Sequence, residues 1–414
     1  MSLNTTPAAE RTHIGIFGKR NAGKSSLINA LTGQELAIVS DISGTTTDPV
    51  YKAMELLPLG PVVLIDTPGI DDEGELGELR VKKSYQVLNK TDLAILVCSA
   101  EEGIAGEDIR LLERIQSKKI PWILVMNKTD LIKKEDQKLP IEILKKFEKE
   151  KSDVSALWVS AEKGEQIYEL KEQIAGKAQK GKKEKPLVSD LLSTGDCVVL
   201  VIPIDKAAPK GRLILPQQQT IRDALEAGAS VMVTRDHELQ KTLEALKEPP
   251  KMVITDSQVF GKVAKLTPKK VLLTSFSILF ARYKGELRTQ VNGAKKLDSI
   301  QDGDRILVCE GCTHHRQCDD IGTVKLPAWI RNYTKKEPVF EFTSGGAFPE
   351  NLKAYQLIIH CGGCMLNERE IKYRIACAKD ADIPITNYGV AIAYMNGILK
   401  RSVEIFPDIY QMIV

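Results

Sequence analysis

One segment near the start of the chain, Gly18 to Ser25, restricts the fold more than any other part of the sequence. It matches the pattern G-x-x-x-x-G-K-S/T, follows the apolar run His13–Phe17, and precedes residues with helical spacing. Glycines in such a turn let backbone N–H groups converge on phosphate oxygens, and the N-terminus of the following helix favours an anion. A strand, a phosphate-binding turn and a helix in this order predict an α/β domain that binds a nucleotide.

Three further segments each follow a later apolar run of strand length, which predicts that they meet at one edge of a parallel sheet. Asp66 to Gly69 offers a carboxylate for Mg²⁺ and a glycine that follows the γ-phosphate. Asn127 to Asp130 ends in a carboxylate that accepts two guanine protons, and adenine lacks this pair of donors. Ser160 and Ala161 complete the base pocket. The pattern therefore predicts a GTP site.

Within this site, Lys24 is predicted to bind the β- and γ-phosphates and Ser25 to bind Mg²⁺. The nucleotide-binding residues predicted from these motifs are Gly18, Asn21, Ala22, Gly23, Lys24, Ser25, Ser26, Asp66, Gly69, Asn127, Lys128, Asp130, Ser160 and Ala161.

Alternation of strand-like and helix-like segments divides the chain into three predicted domains. Residues 1–176 form the nucleotide domain, with a mostly parallel sheet and a hairpin that pairs Tyr51–Leu57 with Val62–Ile65. A Lys-rich stretch, 177–186, is interpreted as a solvated linker. Residues 187–266 carry no phosphate loop, and their thin predicted sheet favours dimerisation with a second copy. Residues 267–414, which include the predicted strand Val271–Thr274, form a third α/β domain that is rich in cysteine.

Composition limits the kinds of partner that the chain can have. Its 414 residues carry 58 Lys and Arg against 55 Asp and Glu, a formal charge of +3, which argues against a polyanion binder. No apolar run approaches the ~18 residues of a membrane span. The first residues lack the charged and apolar regions of a signal peptide. We therefore expect a cytoplasmic protein that binds no membrane and no nucleic acid, and whose eight cysteines stay reduced.

The placement of the cysteines indicates a metal site in the third domain. Two glycines separate Cys361 from Cys364, which lets both thiolates converge on one centre, and Cys312 comes from a separate strand end. Together with Cys309 these residues could also form a four-thiolate zinc site. Small core roles are expected instead for the cysteines that lie within apolar stretches, Cys98, Cys197 and Cys377.

The nucleotide motifs resemble those of the TrmE–Era family of GTPases over about residues 12–175. The resemblance implies that Thr46 is the Mg²⁺-sensing threonine and that Lys24, Thr46, Asp66 and Gly69 are catalytic. Ile70 stands where related enzymes keep a water-positioning Gln, so slow hydrolysis is expected. Asn21 matches a position that supports a bound K⁺ in relatives, and a plain turn-forming role is the alternative. Two glutamates align loosely as water-positioning residues, but a solvated helix face is expected for both, Glu75 and Glu78.

In the third domain, Cys312-x-His314 and the later His360-Cys361-x-x-Cys364 resemble the signature of the HydF family of [FeFe]-hydrogenase maturation GTPases. The order of the predicted domains, a GTPase domain, a small central domain and a cysteine-rich domain, also resembles that of this family. The resemblance implies a [4Fe-4S] cluster on Cys312, Cys361 and Cys364. It also implies a dimeric scaffold that receives a transient diiron precursor, made with two radical-SAM maturases, and delivers it to the hydrogenase apoprotein.

Two questions stay open at the level of sequence. The fourth iron position could be exchangeable or could be filled by one of several side chains. A rival function is a ribosome- or RNA-associated GTPase with a structural zinc site. The possible fourth ligands are His314, His360, Glu310, Asp319, Cys309 and Cys318.

Overall fold

The computed structural model describes residues 6–33, 48–70, 81, 83–137, 156–180, 185–204, 213–311, 320–349 and 351–413. These residues divide into two compact units, Met1–Lys183 and Glu184–Val414. Three sheets with mostly parallel strands and covering helices confirm the predicted α/β class. Among the described residues, no helix is long and apolar enough to cross a membrane.

The first unit is built on a six-stranded sheet with the order β2-β3-β1-β4-β5-β6. Only β2 runs antiparallel to its neighbour, which confirms the predicted hairpin. Apolar cores cover both faces of the sheet, as parallel strands require. The strands are β1 (Thr12–Phe17), β2 (Val50–Leu56), β3 (Gly60–Asp66), β4 (Leu93–Ser99), β5 (Trp122–Asn127) and β6 (Ala156–Trp158); the helices are α1 (Lys24–Thr32), α2 (Gly106–Ser117) and α3 (Ile167–Lys180). The sequence also predicts helices at 76–88 and 141–150, of which residues 76–80, 82 and 141–150 lie outside the described residues.

The second unit contains two four-stranded parallel sheets. The first has the order β10-β9-β7-β8. Strand β8 therefore lies on one side of β7, and the next strand in the chain, β9, lies on the other side. Its strands are β7 (Cys197–Val201), β8 (Ser230–Thr234), β9 (Met252–Thr255) and β10 (Leu272–Ser275); its helices are α4 (Leu215–Glu226), α5 (Leu239–Ala245), α6 (Phe260–Leu266) and α7 (Phe276–Lys284).

The second sheet of this unit has the order β12-β11-β13-β14. Its strands are β11 (Arg305–Glu310), β12 (Val339–Ser344), β13 (Leu357–His360) and β14 (Ile385–Asn387). The helices of this region are α8 (Leu287–Ala294), α9 (Leu326–Thr334), α10 (Glu368–Asp380), α11 (Tyr388–Met395), α12 (Leu399–Ser402) and α13 (Pro407–Tyr410).

The apolar core of the first of these two sheets extends well beyond the predicted central domain. Strand β10, which the sequence analysis placed in the third domain, pairs with β9 from Leu272↔Met252 onward. The same core includes Phe276 and Leu279 of α7 and, near the end of the chain, Val403 and Phe406. Residues on both sides of position 266 therefore share one core.

Candidate functional site

The carboxyl ends of β1, β3, β5 and β6 bring the predicted nucleotide motifs to one edge of the first sheet. Gly18 follows β1 with a φ of 148°, and a Cβ there would lie 2.1 Å from the carbonyl oxygen of Val97. Gly23 precedes α1 with a φ of 88°, in the left-handed region that glycine favours. Both glycines are thus required by the local backbone, and α1 begins where a phosphate would meet its free N–H groups.

Three polar side chains meet beside this turn. The Lys24 Nζ, which is buried, donates to the carbonyl oxygens of Gly18 at 2.9 Å and Lys19 at 2.6 Å. The Ser25 hydroxyl donates to Asp66 Oδ2 at 2.9 Å. Burial raises the pKa of Asp66 above its ordinary value, while the Ser25 hydrogen bond and the Lys24 charge oppose the rise. The hydroxyl and carboxylate predicted for Mg²⁺ therefore lie in contact.

A second group of contacts links the base-reading segments to the phosphate turn. Asn127 Nδ2 donates to the Ala22 carbonyl oxygen at 3.1 Å, and its Oδ1 accepts the Ala161 N–H at 3.0 Å. The Ser160 hydroxyl donates to Asp130 Oδ1 at 2.5 Å. Asn127 thus joins both halves of the site, while Ser160 orients the carboxylate predicted to recognise guanine.

The other predicted residues of this site have simpler surroundings. Asn21 is exposed in the turn with a φ of 59°, and Lys128 adopts a φ of 65° directly after β5. Ile70 is buried in an apolar core. Ser26 is half-buried on α1, and Gly69 is half-buried after β3. Thr46, Glu75 and Glu78 lie outside the described residues.

Two residues that the sequence analysis did not single out hold the Asp66–Gly69 segment. The Thr67 hydroxyl donates to the Ile16 carbonyl oxygen at 2.7 Å, and the Ser84 hydroxyl donates to the Pro68 carbonyl oxygen at 3.0 Å. Thr67 lies within the Asp66–Gly69 motif, so the sequence could have indicated its role. Ser84 lies well beyond the motif, and its role depends on tertiary contact.

The described residues next to the cysteine motifs, Cys309–Gly311 and His360–Cys364, meet at the edge between β11 and β13, where the order of strands in the second parallel sheet reverses. Ligands of open α/β sheets bind at such points, outside the carboxyl ends of the strands. Cys309 pairs with His360 in the ladder, and the Cys361 N–H donates to the Cys309 carbonyl oxygen at 2.8 Å. The pairing brings the end of β11 beside the start of the Cys361–Cys364 loop.

Backbone N–H groups converge on the Cys361 sulfur. Gly311 donates to Sγ at 3.0 Å and Gly363 at 3.4 Å. Burial raises the pKa of the Cys361 thiol to about 11, and these two hydrogen bonds oppose the rise. Donors aimed at sulfur stabilise a thiolate, which is the form that binds metal.

Both ring nitrogens of His360 are already engaged. Arg374 Nη1 lies 3.0 Å from Nε2, and the Cys361 carbonyl oxygen lies 2.7 Å from Nδ1. Because an arginine only donates, Nε2 accepts and Nδ1 carries the proton. Burial, together with the Arg374 charge, lowers the pKa of His360 to about 3. As a fourth ligand, His360 would first have to give up its bond from Arg374.

Cys309 does not face the same side of the sheet as Cys361. It is fully buried with Leu307 and Ile358 in one core, whereas Cys361 packs against the core on the opposite face. Burial raises the pKa of the Cys309 thiol to about 11. A four-thiolate zinc site that includes Cys309 would therefore require it to leave its core.

Glu310, another possible ligand, is buried, and the Tyr388 hydroxyl lies 3.5 Å from its Oε1. The remaining predicted ligands, Cys312, His314, Cys318 and Asp319, lie outside the described residues. Within the parts of the chain that are described, no three His, Cys, Asp or Glu side chains form a group that could hold a metal ion.

Three family models match successive parts of this chain. The model of a 50S ribosome-binding GTPase matches residues 13–128. The hydrogen maturase F dimerization domain matches residues 187–285, and the hydrogen maturase F tetramerization domain matches residues 288–405. The chain therefore contains a GTPase domain followed by two domains that are named for oligomerisation. We call the β11–β13 edge with Cys309–Gly311 and His360–Cys364 the cysteine edge, and it lies in the last of these domains.

Similar proteins match the GTPase part. A GTPase Der from Mycoplasmopsis pulmonis is 38% identical over 168 residues, which are 39% of this chain and 38% of the relative. The tRNA modification GTPase MnmE of Aquifex aeolicus is 39% identical over 41% of this chain and 35% of its own length. A solved structure of an Aquifex aeolicus Era variant bound to GDP·AlF4⁻ covers 54% of this chain and 93% of its own, at 21% identity and a TM-score of 0.36. The chain spans little more than a third of the length of these two curated relatives.

Proposed function

Because this chain belongs to the hydrogen maturase F family, we propose that it is a GTP-hydrolysing scaffold that binds a [4Fe-4S] cluster and delivers a diiron precursor to the [FeFe]-hydrogenase apoprotein. The observation that carries the proposal is the presence, in one chain, of a guanine-nucleotide edge and of a cysteine edge whose backbone donors converge on Cys361. The proposed domains are residues 1–176 for GTP, 187–266 for dimerisation and 267–414 for the cluster, with a linker at 177–186.

In this proposal the nucleotide is held at both ends. Lys24 and the N–H groups of the turn bind the phosphates, and Ser25, Thr46 and Asp66 hold Mg²⁺. Asn127, Asp130 and Ser160 recognise guanine. Hydrolysis is slow because the apolar Ile70 stands beside the Asp66–Gly69 segment, and K⁺ bound near Asn21 accelerates it.

The cysteine edge suits an iron–sulfur cluster because it offers thiolate ligands and backbone N–H groups directed to sulfur. Cys312, Cys361 and Cys364 would supply three thiolates, and the Cys361 sulfur already accepts two backbone N–H groups that offset thiolate charge. Bound by three thiolates, a [4Fe-4S] cluster would offer an iron with an exchangeable position to an incoming complex. Gly311, the residue that directly precedes Cys312 in the sequence, donates its N–H to the Cys361 sulfur.

The proposed partners follow from the same role. Two radical-SAM maturases supply the diiron precursor, and the hydrogenase apoprotein receives it. The chain acts as a cytoplasmic homodimer through its central domain, a role supported by the dimerization and tetramerization domain matches.

Chemical analysis of protein purified without oxygen tests the cluster. We expect iron and acid-labile sulfide with a visible absorption band, and we expect Cys361→Ser or Cys364→Ser to lose most of both. Cys197→Ser is the control, because Cys197 lies in β7 of the other sheet of this unit. Zinc without sulfide in the wild type would overturn the proposed function.

A nucleotide assay tests the GTPase separately. We expect turnover of GTP but not ATP, at ~1 per minute or below, and faster in K⁺ than in Na⁺. Equal rates with both nucleotides would contradict the guanine site, and equal rates in both salts would remove the role of Asn21.

A further inference from the structure

Two buried cations flank the Cys361–Cys364 loop. Lys284, at the end of α7, is 2% exposed, and Arg374, on α10, is fully buried. Fully buried charges are rare because they lose their hydration, so each is expected to have a specific partner. Neither residue belongs to a motif that the sequence analysis identified.

The Lys284 side chain binds the backbone at the end of the Cys361–Cys364 loop. Its Nζ donates to the carbonyl oxygens of Cys364 at 3.3 Å and Leu366 at 3.1 Å. The carbonyl oxygen of Cys364 therefore accepts from a buried positive charge.

Arg374 binds the other end of the loop through His360. Its Nε donates to Glu370 at 2.9 Å, its Nη1 to His360 Nε2 at 3.0 Å, and its Nη2 to the Gly345 carbonyl oxygen at 2.7 Å. His360 in turn donates from Nδ1 to the Cys361 carbonyl oxygen at 2.7 Å. The guanidinium thus fixes both the tautomer of His360 and the direction of this carbonyl.

At the Cys364 end a cation binds carbonyl oxygens of the loop directly. At the Cys361 end Arg374 acts through His360, which donates to the Cys361 carbonyl oxygen while backbone N–H groups donate to the Cys361 sulfur. We propose that Lys284 and Arg374 are positioning residues that shape the Cys361–Cys364 loop before metal arrives and whose charges stabilise the reduced, more negative cluster. This inference rests on the proposed cluster site. Hydrogen bonds and charge near the sulfurs are the means by which a protein tunes such a cluster.

The Glu370–Arg374 pair directs its positive end to the cysteines. The guanidinium donates through Nη1 to His360, the residue that directly precedes Cys361. Glu370 is buried one helical turn away and satisfies Nε of the guanidinium. Removal of Arg374 alone would leave Glu370 as an unpaired buried charge, so its variants need a compensating change.

Three variants separate charge from hydrogen bonding. Lys284→Met removes one cation with little change of shape. Arg374→Met combined with Glu370→Leu removes the pair without an orphan carboxylate. Arg374→Lys keeps the charge but replaces the planar fork, whose three nitrogens donate to Glu370, His360 and Gly345, with a single ammonium nitrogen. Lys379→Met is the matched control, because Lys379 is exposed on the same helix as Arg374 and pairs with Glu286.

The readouts are the reduction midpoint of the cluster, followed by EPR, and the rate of iron loss to a chelator. We expect Lys284→Met and the double variant to shift the midpoint to more negative values and to lose iron about 10-fold faster or more, the scale of outer-shell effects on metal affinity. Arg374→Lys should keep the midpoint and still lose iron faster. Midpoints and release rates equal to those of Lys379→Met would overturn the inference.

A measurement on the wild-type apo-protein needs no variant. With ¹⁵N-labelled histidine, we expect His360 to carry its proton on Nδ1 at neutral pH. A proton on Nε2 would exclude the bond from Arg374 and overturn the inference. Absence of iron and sulfide from the wild type would instead refute the proposed function, which distinguishes the two failures.

Discussion

Asp130 is exposed, and one of its carboxylate oxygens accepts the Ser160 hydroxyl at 2.5 Å. The hydroxyl of Ser160 also accepts the Lys163 N–H at 3.1 Å, so its direction is fixed. The bond from Ser160 occupies one acceptor site of Oδ1, so the carboxylate can still accept the two guanine protons. A single side chain at the surface is thus oriented by a short chain of hydrogen bonds.

We predict that Asp130→Asn lowers the preference for GTP over ATP by about 100-fold, because an amide replaces one acceptor with a donor and charge-assisted hydrogen bonds contribute about 1.5–3 kcal/mol each. Competition binding with both nucleotides measures the change. Glu162→Gln, also exposed and nearby, is the control. An unchanged preference in Asp130→Asn would show that another residue recognises the base.

Gly18 and Gly176 offer a matched pair of substitutions. A Cβ at Gly18 would lie 2.1 Å from the Val97 carbonyl oxygen, whereas a Cβ at Gly176 on α3 meets nothing within 4 Å. We predict that Gly18→Ala destabilises the first unit by at least about 2 kcal/mol. Gly176→Ala should stabilise it by up to about 1 kcal/mol, since alanine favours a helix. Thermal unfolding compares them, and equal midpoints would contradict the close approach at Gly18.

For single residues, the sequence predicted which side chains belong to the nucleotide site better than it predicted the hydrogen bonds between them. Lys24, Ser25 and Asp66 have fixed spacing within motifs, so their convergence followed from strand order. The bond from Asn127 to Ala22 joins two motifs and could not be read from either. Lys284 and Arg374 stand outside every motif, and only tertiary packing brings them to the cysteine loop.

At the scale of elements, strand β8 is notable because it forms one edge of the first sheet of the second unit. Among the described residues its outer edge pairs with no strand, and its Met232 and Val233 side chains are 38% and 48% exposed. An exposed apolar edge strand is a surface suited to pairing with a second chain. The hydrogen maturase F dimerization domain match includes this strand.

We predict that Val233→Lys weakens the homodimer at least about tenfold, because each partner would bring an unpaired charge into the interface. Analytical ultracentrifugation over a range of concentrations measures the dissociation constant. Leu225→Lys, also exposed but on α4, is the control. If Leu225→Lys weakens the dimer and Val233→Lys does not, the interface lies on the helix face.

Strand β10 explains why this part of the fold was harder to predict. Val271–Thr274 has the composition of a buried strand, and that assignment was right in kind. Its partner was not visible, because any buried parallel strand has the same apolar pattern. The sequence does not predict helix α11, because that helix is apolar on every side and shows no periodic pattern.

For the whole molecule, the division into two compact units separates the predicted chemistries. The nucleotide residues lie in the first unit and the described cysteine-edge residues in the second. Each chemistry should therefore survive damage to the other.

We predict that Cys361→Ser loses most of the iron but keeps GTP turnover within about twofold, whereas Lys24→Ala lowers turnover at least about 100-fold and keeps the iron. Iron analysis and a phosphate-release assay on the same preparations give both values. A loss of GTP turnover in Cys361→Ser would show that the two units are coupled.

The ladder between β11 and β13 has a consequence for how the protein is made. It joins Gly311 to Cys361 across 50 residues of chain, so the first cysteine stretch leaves the ribosome before its partner exists. Pairing between distant strands is slow compared with local structure. If the proposed cluster forms, the thiols have no metal to protect them during that interval, and we expect oxygen at the time of synthesis to harm this protein more than oxygen after cluster binding.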